Sequence, residues 1–189
     1  MIVVYIFIGY LFIFYFNLYL GKLFCTRNAS IAKLGKIIFK KKNDELANSP
    51  FFKPIRESIK QRSIPKLASY IFVMITLKSL GFALISIVLL TPLILVFQGL
   101  AMGSLFIYYK SKEKHLDLLP IVTFWQLLSH CFAGALGTVI GLNWLFKTNL
   151  PLNNKYLVLV IILSLFTGII AAYLESKMLL NQKNQQANY

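Results

Sequence analysis

The sequence predicts an all-α protein: a polytopic transmembrane helical bundle of about five membrane-spanning helices, with a short basic helix at the membrane surface. Its 189 residues are 58% hydrophobic and only 14% charged, which is too apolar for an ordinary soluble domain. The formal net charge of +14 comes from 20 basic and 6 acidic residues. In a membrane protein such an excess typically marks cytoplasmic loops facing anionic lipid, so we expect the anionic inner leaflet, and no nucleic acid, as a partner.

The first predicted span occupies residues 1–21. The segment from Ile2 to Leu20 carries no charge and is about long enough to cross a hydrocarbon core of roughly 30 Å. It has neither the basic leading region nor the small-residue cleavage site of a secretory signal. We therefore expect a helix that stays in the mature protein.

Residues 22–67 form a basic loop with twelve Lys or Arg against three acids. Within it, residues 31–42 have helical spacing that separates an apolar side from a basic side, which predicts a helix lying in the headgroup plane. Its candidate lipid- or partner-binding residues are Lys33, Lys36, Lys40, Lys41 and Lys42. The interval from Pro54 to Pro65 has room for a second short basic helix. The alternative is a solvated loop that only fixes the topology.

Residues 68–189 are expected to form a four-helix membrane domain with a polar C-terminal tail. The apolar stretch 68–109 is too long for one crossing, and Thr91-Pro92 is its natural break because proline removes a backbone donor. The predicted spans are 69–90, 92–109, 121–143 and 156–174. With the N-terminus outside and the C-terminus in the cytoplasm, 17 of the 20 basic residues fall in cytoplasmic segments of a multi-pass plasma-membrane protein.

Small residues recur at helical spacing in the third and fourth spans. Gly99 and Gly103 lie four apart in the third span, and the fourth contains Ser129, Ala133, Gly137 and Gly141 every four residues, with Gly134 in the same run. Such ridges let backbones approach closely in lipid. They predict that these two spans pack against each other, although a homo-oligomer contact would satisfy the pattern equally.

Four polar residues fall inside predicted spans: Lys78, Gln98, Gln126 and His130. Gln126 and His130 share a helix face, so a hydrogen bond between them or across to Gln98 is feasible. One hypothesis makes the four a polar path, because ionisable groups at membrane depth are costly and often functional. The other makes them interhelical hydrogen-bonding groups, with Lys78 reaching the interface.

The sequence predicts no enzyme. It contains no GxxxxGK[ST], HExxH or GxSxG motif and no pair of acids inside a span, which leaves little material for acid–base catalysis. The two cysteines, Cys25 and Cys131, provide neither a disulfide framework nor a metal ligand set. We interpret them as a juxtamembrane thiol and a packing residue, and we expect no metal and no cofactor.

Two segments together resemble the stage II sporulation protein M family of bacterial membrane proteins: FQGLAMGSLFIYY (97–109) and LLPIVTFWQLLSHCFAGALGTVIG (118–141). That family shows an Asn-Gly-x-x-x-Gly step, then Leu-Pro-His-Gly-x-x-Glu leading into Ala-Gly-x-x-Gly. Gln98-Gly99 and Gly103 correspond to the first motif. In the second, Val122-Thr123 and Gln126 stand where the family has His-Gly and Glu, so this chain lacks the two ionisable groups. The resemblance covers about residues 78–143.

The resemblance implies a non-enzymatic partner or assembly factor in a bacterial plasma membrane. Short members of the family are encoded in gene clusters for circular bacteriocins. The implied role is maturation, secretion or immunity of such a membrane-active peptide, together with an ABC-type transporter or peptide-maturation proteins. The residues alone leave an alternative open, a small-solute or lipid transporter subunit with a polar path through the second to fourth spans.

Overall fold

The computed structural model describes residues 2–27, 37, 48–112, 119–150 and 153–186, and its regular structure over these residues is entirely helical. The predicted all-α class is confirmed. A 3-10 turn over Pro50–Phe52 leads into the second of the six α-helices that are given bounds within these described ranges. These helices are α1 (Ile2–Arg27), α2 (Lys53–Lys60), α3 (Ile64–Ile87), α4 (Thr91–Lys112), α5 (Leu119–Phe146) and α6 (Asn154–Gln186).

Four of these helices, α1, α3, α5 and α6, are long and apolar enough to cross a membrane. In α4 the apolar stretch Thr91–Leu105 is shorter, within a helix of 22 residues. At 1.5 Å per residue α4 extends about 33 Å, which matches a hydrocarbon core. Its length is therefore compatible with a fifth crossing.

Several helices extend beyond their predicted ends. α1 continues to Arg27, and α6 continues to Gln186 through the segment that we expected to be a polar tail. No Gly or Pro follows Leu174 within α6, and Glu, Lys, Met, Leu and Gln are good helix formers. Polarity ends a membrane span, but it does not end a helix.

The break between α3 and α4 falls at residues 88–90, just before the predicted Thr91-Pro92 step. Leu89 has a φ of 60°, which turns the chain there. Thr91 is the first residue of α4, so Pro92 lies in its first turn. A first-turn residue needs no backbone donor, and proline is well tolerated there. The proline therefore helps α4 to begin.

The helices pack as a three-helix group and a helix pair. α3, α5 and α6 contact one another, whereas α4 lies along α1, which in turn contacts α5. α4 scarcely touches α3, although only residues 88–90 separate them. Two core clusters follow this arrangement: one contains Ile71 of α3 and Ala171 of α6, and the other joins α1 to α4 and α5.

The short helix anticipated between Pro54 and Pro65 is present as α2. Its Ile55 is buried in a cluster with Leu67 of α3 and Leu180 of α6, so α2 is held against one end of the bundle. The chain then turns into α3 at Arg62, whose φ is 53°. The predicted surface helix over 31–42, with Lys33, Lys36, Lys40, Lys41 and Lys42, lies outside the described residues apart from Ile37.

Candidate functional site in the membrane-spanning bundle

Glycines bring α1 and α4 into backbone contact. A Cβ placed on Gly99 would lie 2.6 Å from the carbonyl oxygen of Phe14 and 2.9 Å from Cβ of Asn17. One placed on Gly103 would lie 2.8 Å from the backbone nitrogen of Lys22. Gly21 makes the same kind of contact from α1, because a Cβ placed on it would lie 2.9 Å from Cα of Leu100. These separations are too short for any side chain, so the pair depends on glycine.

A second glycine contact joins α5 to α3. A Cβ on Gly137 would lie 2.8 Å from the carbonyl carbon of Ala83, and one on Gly141 would lie 2.8 Å from Cα of Ile87. Ser129 is buried at the same interface, and Ala133 is half-buried. Gly134 lies where three helices meet, near Ser86 Oγ of α3 and the ring of Tyr10 of α1.

The two glycine ridges therefore do not face each other. The prediction that the third and fourth spans pack together is wrong, because the α4 ridge packs on α1 and the α5 ridge packs on α3. A small-residue ridge encodes a close approach but not the identity of the partner. Gly21, at the end of the first predicted span, was the signal for the α1–α4 pair, and its significance was missed.

His130 belongs to a buried hydrogen-bond cluster that links α3, α5 and α6. Its Nδ1 lies 2.8 Å from Ser79 Oγ, which lies 2.9 Å from Ser129 Oγ. Ser129 Oγ donates to the backbone carbonyl of Ser164 over 2.8 Å, and Ser164 Oγ donates to the carbonyl of Ser129 over 2.9 Å. Phe82 stacks on the imidazole with ring centroids 5.1 Å apart.

The number of hydroxyl protons determines which group donates in each hydrogen bond of this cluster. Each serine hydroxyl has one proton, and that of Ser129 is given to the Ser164 carbonyl. Ser79 must then donate to Ser129, which leaves Ser79 Oγ to accept from His130 Nδ1. These hydrogen bonds therefore place a proton on Nδ1 of the His130 imidazole. Ser79 and His130 resemble a nucleophile and base by distance, but Ser79 is only 5% exposed, its proton is donated to Ser129, and the imidazole nitrogen beside it carries a proton and so cannot act as its base. The pair is therefore structural.

Gln126 has a partner that the sequence did not suggest. Its Nε2 donates to Glu175 Oε2 of α6 over 2.6 Å. The sequence made a bond to His130 or Gln98 feasible, but His130 bonds to Ser79 of α3 and Gln126 to α6. Glu175 was assigned to the tail because it follows the last apolar run. It lies within α6, and both partners are half-buried.

The structure separates the remaining polar residues from this cluster. Gln98 is exposed on α4, next to the glycine that faces α1, so it lies on the outer surface of the bundle. Lys78 is exposed on α3 beside buried Ser79. Of the four predicted polar residues, only Gln126 and His130 lie on one helix, and each bonds to a different neighbouring helix.

Four further hydroxyls join α1, α3, α4 and α5 around Gly134. Tyr10 is hydrogen-bonded to Thr138, and Ser86 to Thr91. Ser86 also donates to the carbonyl of Phe82 over 2.6 Å. Sequence reasoning missed this group, because serine and threonine inside apolar helices carry little signal until their neighbours are known.

The described residues provide no group of side chains that could hold a metal ion. No three of His, Cys, Asp and Glu lie together among them, and Cys131 is fully buried. An open groove of about 260 Å³ between α1, α5 and the start of α4 is lined mainly by apolar groups, including Ile6, Ile13 and Pro92. Such a lining suits a lipid tail better than a polar solute.

Comparison with protein-family models, curated proteins and solved structures returned no match to this chain. The evidence on function is therefore the fold and the contacts between its helices. Four helices long and apolar enough to cross a membrane indicate a membrane protein, and several of its buried polar groups join one helix to another.

Proposed function

We propose that this chain is a non-enzymatic integral membrane protein that acts as a partner or assembly factor. The proposal rests on the contacts that the polar and small residues make inside the bundle. Glycines join α1 to α4 and α3 to α5, and the buried hydroxyl and imidazole groups bond to other groups of the bundle. Groups that bond internally are not available to a substrate. What the bundle offers to others is its lipid-facing side and its basic end.

The proposed setting is maturation, secretion or immunity of a membrane-active peptide of the circular bacteriocin type, together with a transporter. The resemblance of residues 97–109 and 118–141 to the stage II sporulation protein M family supports this setting. The missing ionisable groups of that family support a role without chemistry of its own. Energy for export would then come from the partner.

The charge distribution supports an N-terminus outside and a C-terminus in the cytoplasm of a plasma membrane. Exposed cations cluster at the end of the bundle that holds α2, and these are Lys22, Arg27, Lys53, Lys60, Arg62, Lys66 and Lys177. The opposite end has Lys147 and Lys155. The positive-inside tendency favours the first end as cytoplasmic.

The direct test is affinity purification of the tagged full-length chain from its native membrane in mild detergent, followed by mass spectrometry. We expect a transporter ATPase or a peptide-processing protein to be recovered. The matched variants are Gly103→Ala, which disturbs the α1–α4 contact, and Gly81→Ala, whose added Cβ would meet nothing within 4 Å. Partner recovery should fall for the first variant only. A wild-type chain that purifies alone would contradict the proposal.

The alternative is a small-solute or lipid transporter subunit. The alignment of His130 and Gln126 on α5, with Glu175 beside them, is the observation that favours it. The exposed position of Gln98 on α4 disfavours a path through the second to fourth spans. Ion-dependent uptake by the purified chain in vesicles, lost in His130→Ala and Gln126→Ala, would establish this function instead.

A further inference from the structure

Three exposed cations lie together where α2 turns into α3. They are Lys60, Arg62 and Lys66, and we call them the basic corner. Lys66 Nζ donates to Gln61 Oε1 over 3.2 Å, which ties the two sides of the turn together. The sequence from Ser58 to Lys112 contains no acid, and the nearest preceding one, Glu57, lies 3.9 Å from Lys53. The corner is thus strongly positive.

The corner is fixed to the bundle. Ile55 is 7% exposed, and Ile59 and Phe52 pack against its core cluster. α2 ends in a complete Schellman motif, with Arg62 N–H bonded to the Ile59 carbonyl over 3.2 Å and Ser63 N–H bonded to the Ser58 carbonyl over 3.1 Å. The backbone that carries the three cations is therefore preorganised, which lowers the entropy cost of binding.

The corner also has the neighbours expected at a membrane–water interface. Lys66 directly precedes Leu67, where the apolar face of α3 begins. Exposed Ile64 and Tyr70 flank it on the same helix, and Phe51 is 61% exposed just before α2. Apolar and aromatic groups beside cations are typical of the membrane–water interface. Lipid phosphates lie at that boundary.

We propose that the basic corner is a binding site for the anionic headgroups of phospholipids such as phosphatidylglycerol. Arginine and lysine bind phosphate oxygens by charge-assisted hydrogen bonds. This site is independent of the proposed peptide-related function.

The two tryptophans provide a reporter at each end of the bundle. Trp125 packs against the same core cluster as Ile55, whereas Trp144 is exposed three residues before Lys147 at the other end. Full-length Trp144→Phe and Trp125→Phe each retain one reporter. Each is placed in phosphatidylcholine vesicles that contain either brominated phosphatidylglycerol or brominated phosphatidylcholine. We expect the anionic quencher to be preferred about a hundredfold at Trp125, because three cations each contribute about fivefold, and much less at Trp144.

Two glycine substitutions form a matched pair. Arg62 and Lys147 have φ values of 53° and 50°, so Arg62→Gly and Lys147→Gly each remove one cation and relieve a left-handed residue without threatening the fold. A cation near an anionic surface contributes about fivefold to binding. We therefore expect Arg62→Gly to lower the phosphatidylglycerol preference at Trp125 about fivefold and Lys147→Gly to leave it unchanged. Adding Lys60→Gln and Lys66→Gln should abolish it.

Three results would overturn the proposal: no anionic preference at Trp125 in the wild-type background, an equal loss for Arg62→Gly and Lys147→Gly, or a preference that survives the triple substitution. Loss of a co-purifying protein in the triple variant, with lipid preference intact, would assign the corner to a protein partner and would also overturn it. The vesicle assay contains no partner protein, so its outcome is separate from that of the purification experiment.

Discussion

His130 illustrates how this bundle treats a polar side chain inside the membrane. The imidazole bonds to Ser79 through one edge and stacks on Phe82 through its face. Ser129 then passes the chain of hydrogen bonds to α6. In water such bonds compete with solvent, but in lipid the alternative is an unsatisfied group, so the cluster favours one packing of the three helices over others.

A double-mutant cycle with Ser79→Ala and His130→Phe measures the contribution of this contact. We expect a coupling free energy of about 0.6 kcal/mol, the average for interhelical hydrogen bonds in membrane proteins. The measurement is reversible unfolding in mixed micelles of mild detergent and dodecyl sulfate. Ser69→Ala combined with His130→Phe is the control, because the exposed Ser69 hydroxyl bonds only to the carbonyl of Pro65. Coupling as large for Ser69 as for Ser79 would contradict the assignment.

At this scale the sequence identified which polar residues to examine but not their partners. Gln126 and His130 stood out because polar groups are rare in an apolar run. Ser79 and Glu175 became their partners, and Ser164 became the partner of Ser129, only through the packing of α3 and α6 on α5. A hydrogen-bond partner 35 to 51 residues away in sequence cannot be derived from local periodicity.

At the scale of elements, glycine position determines which helices touch. α1 and α4 approach through Gly21, Gly99 and Gly103, while α3 and α5 approach through Gly137 and Gly141. The sequence predicted the ridges and the segments that contain them. It did not predict the pairing, because a ridge on one helix is compatible with any smooth surface on another.

The substitution Gly103→Ala tests the α1–α4 contact. Its Cβ would run into the backbone of Leu18 and Lys22, so the helices must separate, and we expect a loss of about 1–3 kcal/mol in the free energy of unfolding. The matched substitution is Gly81→Ala, whose Cβ meets nothing within 4 Å. It should be neutral or slightly stabilising because alanine favours helix. Equal losses for the two variants in the same mixed-micelle assay would disprove the glycine contact.

At the scale of the whole molecule, charge separates the two ends of the bundle. The end with α2 carries the exposed lysines and arginines of the basic corner and of α1, and the other end carries Lys147 and Lys155. Composition predicted the membrane class, and the order of hydrophobic residues along the chain predicted the location of the apolar stretches. Helix ends such as Arg27 and Gln186 were not predictable, because hydropathy marks where lipid ends and not where hydrogen bonding along a helix ends.

Cysteine labelling tests the orientation of this charge asymmetry. In a chain with Cys25→Ser and Cys131→Ala, we expect Thr148→Cys to react with a membrane-impermeant maleimide in intact cells. Gln61→Cys should react only after the cells are permeabilised. Thr148 and Gln61 are both exposed, so local burial does not explain a difference between them. The reverse pattern would invert the proposed topology.

The pairing of α1 with α4 has a consequence for biogenesis. α1 leaves the ribosome before α4. The helix that packs on Gly21 of α1 begins only at Thr91, after α2 and α3 have been made. At ordinary rates of synthesis this delay is of the order of seconds. During that time the α1 surface destined for α4 must be covered by lipid, by the insertion machinery or by a chaperone. The α1–α4 contact can therefore form only after α4 has been made, and a chain released before α4 is complete would expose that surface to degradation.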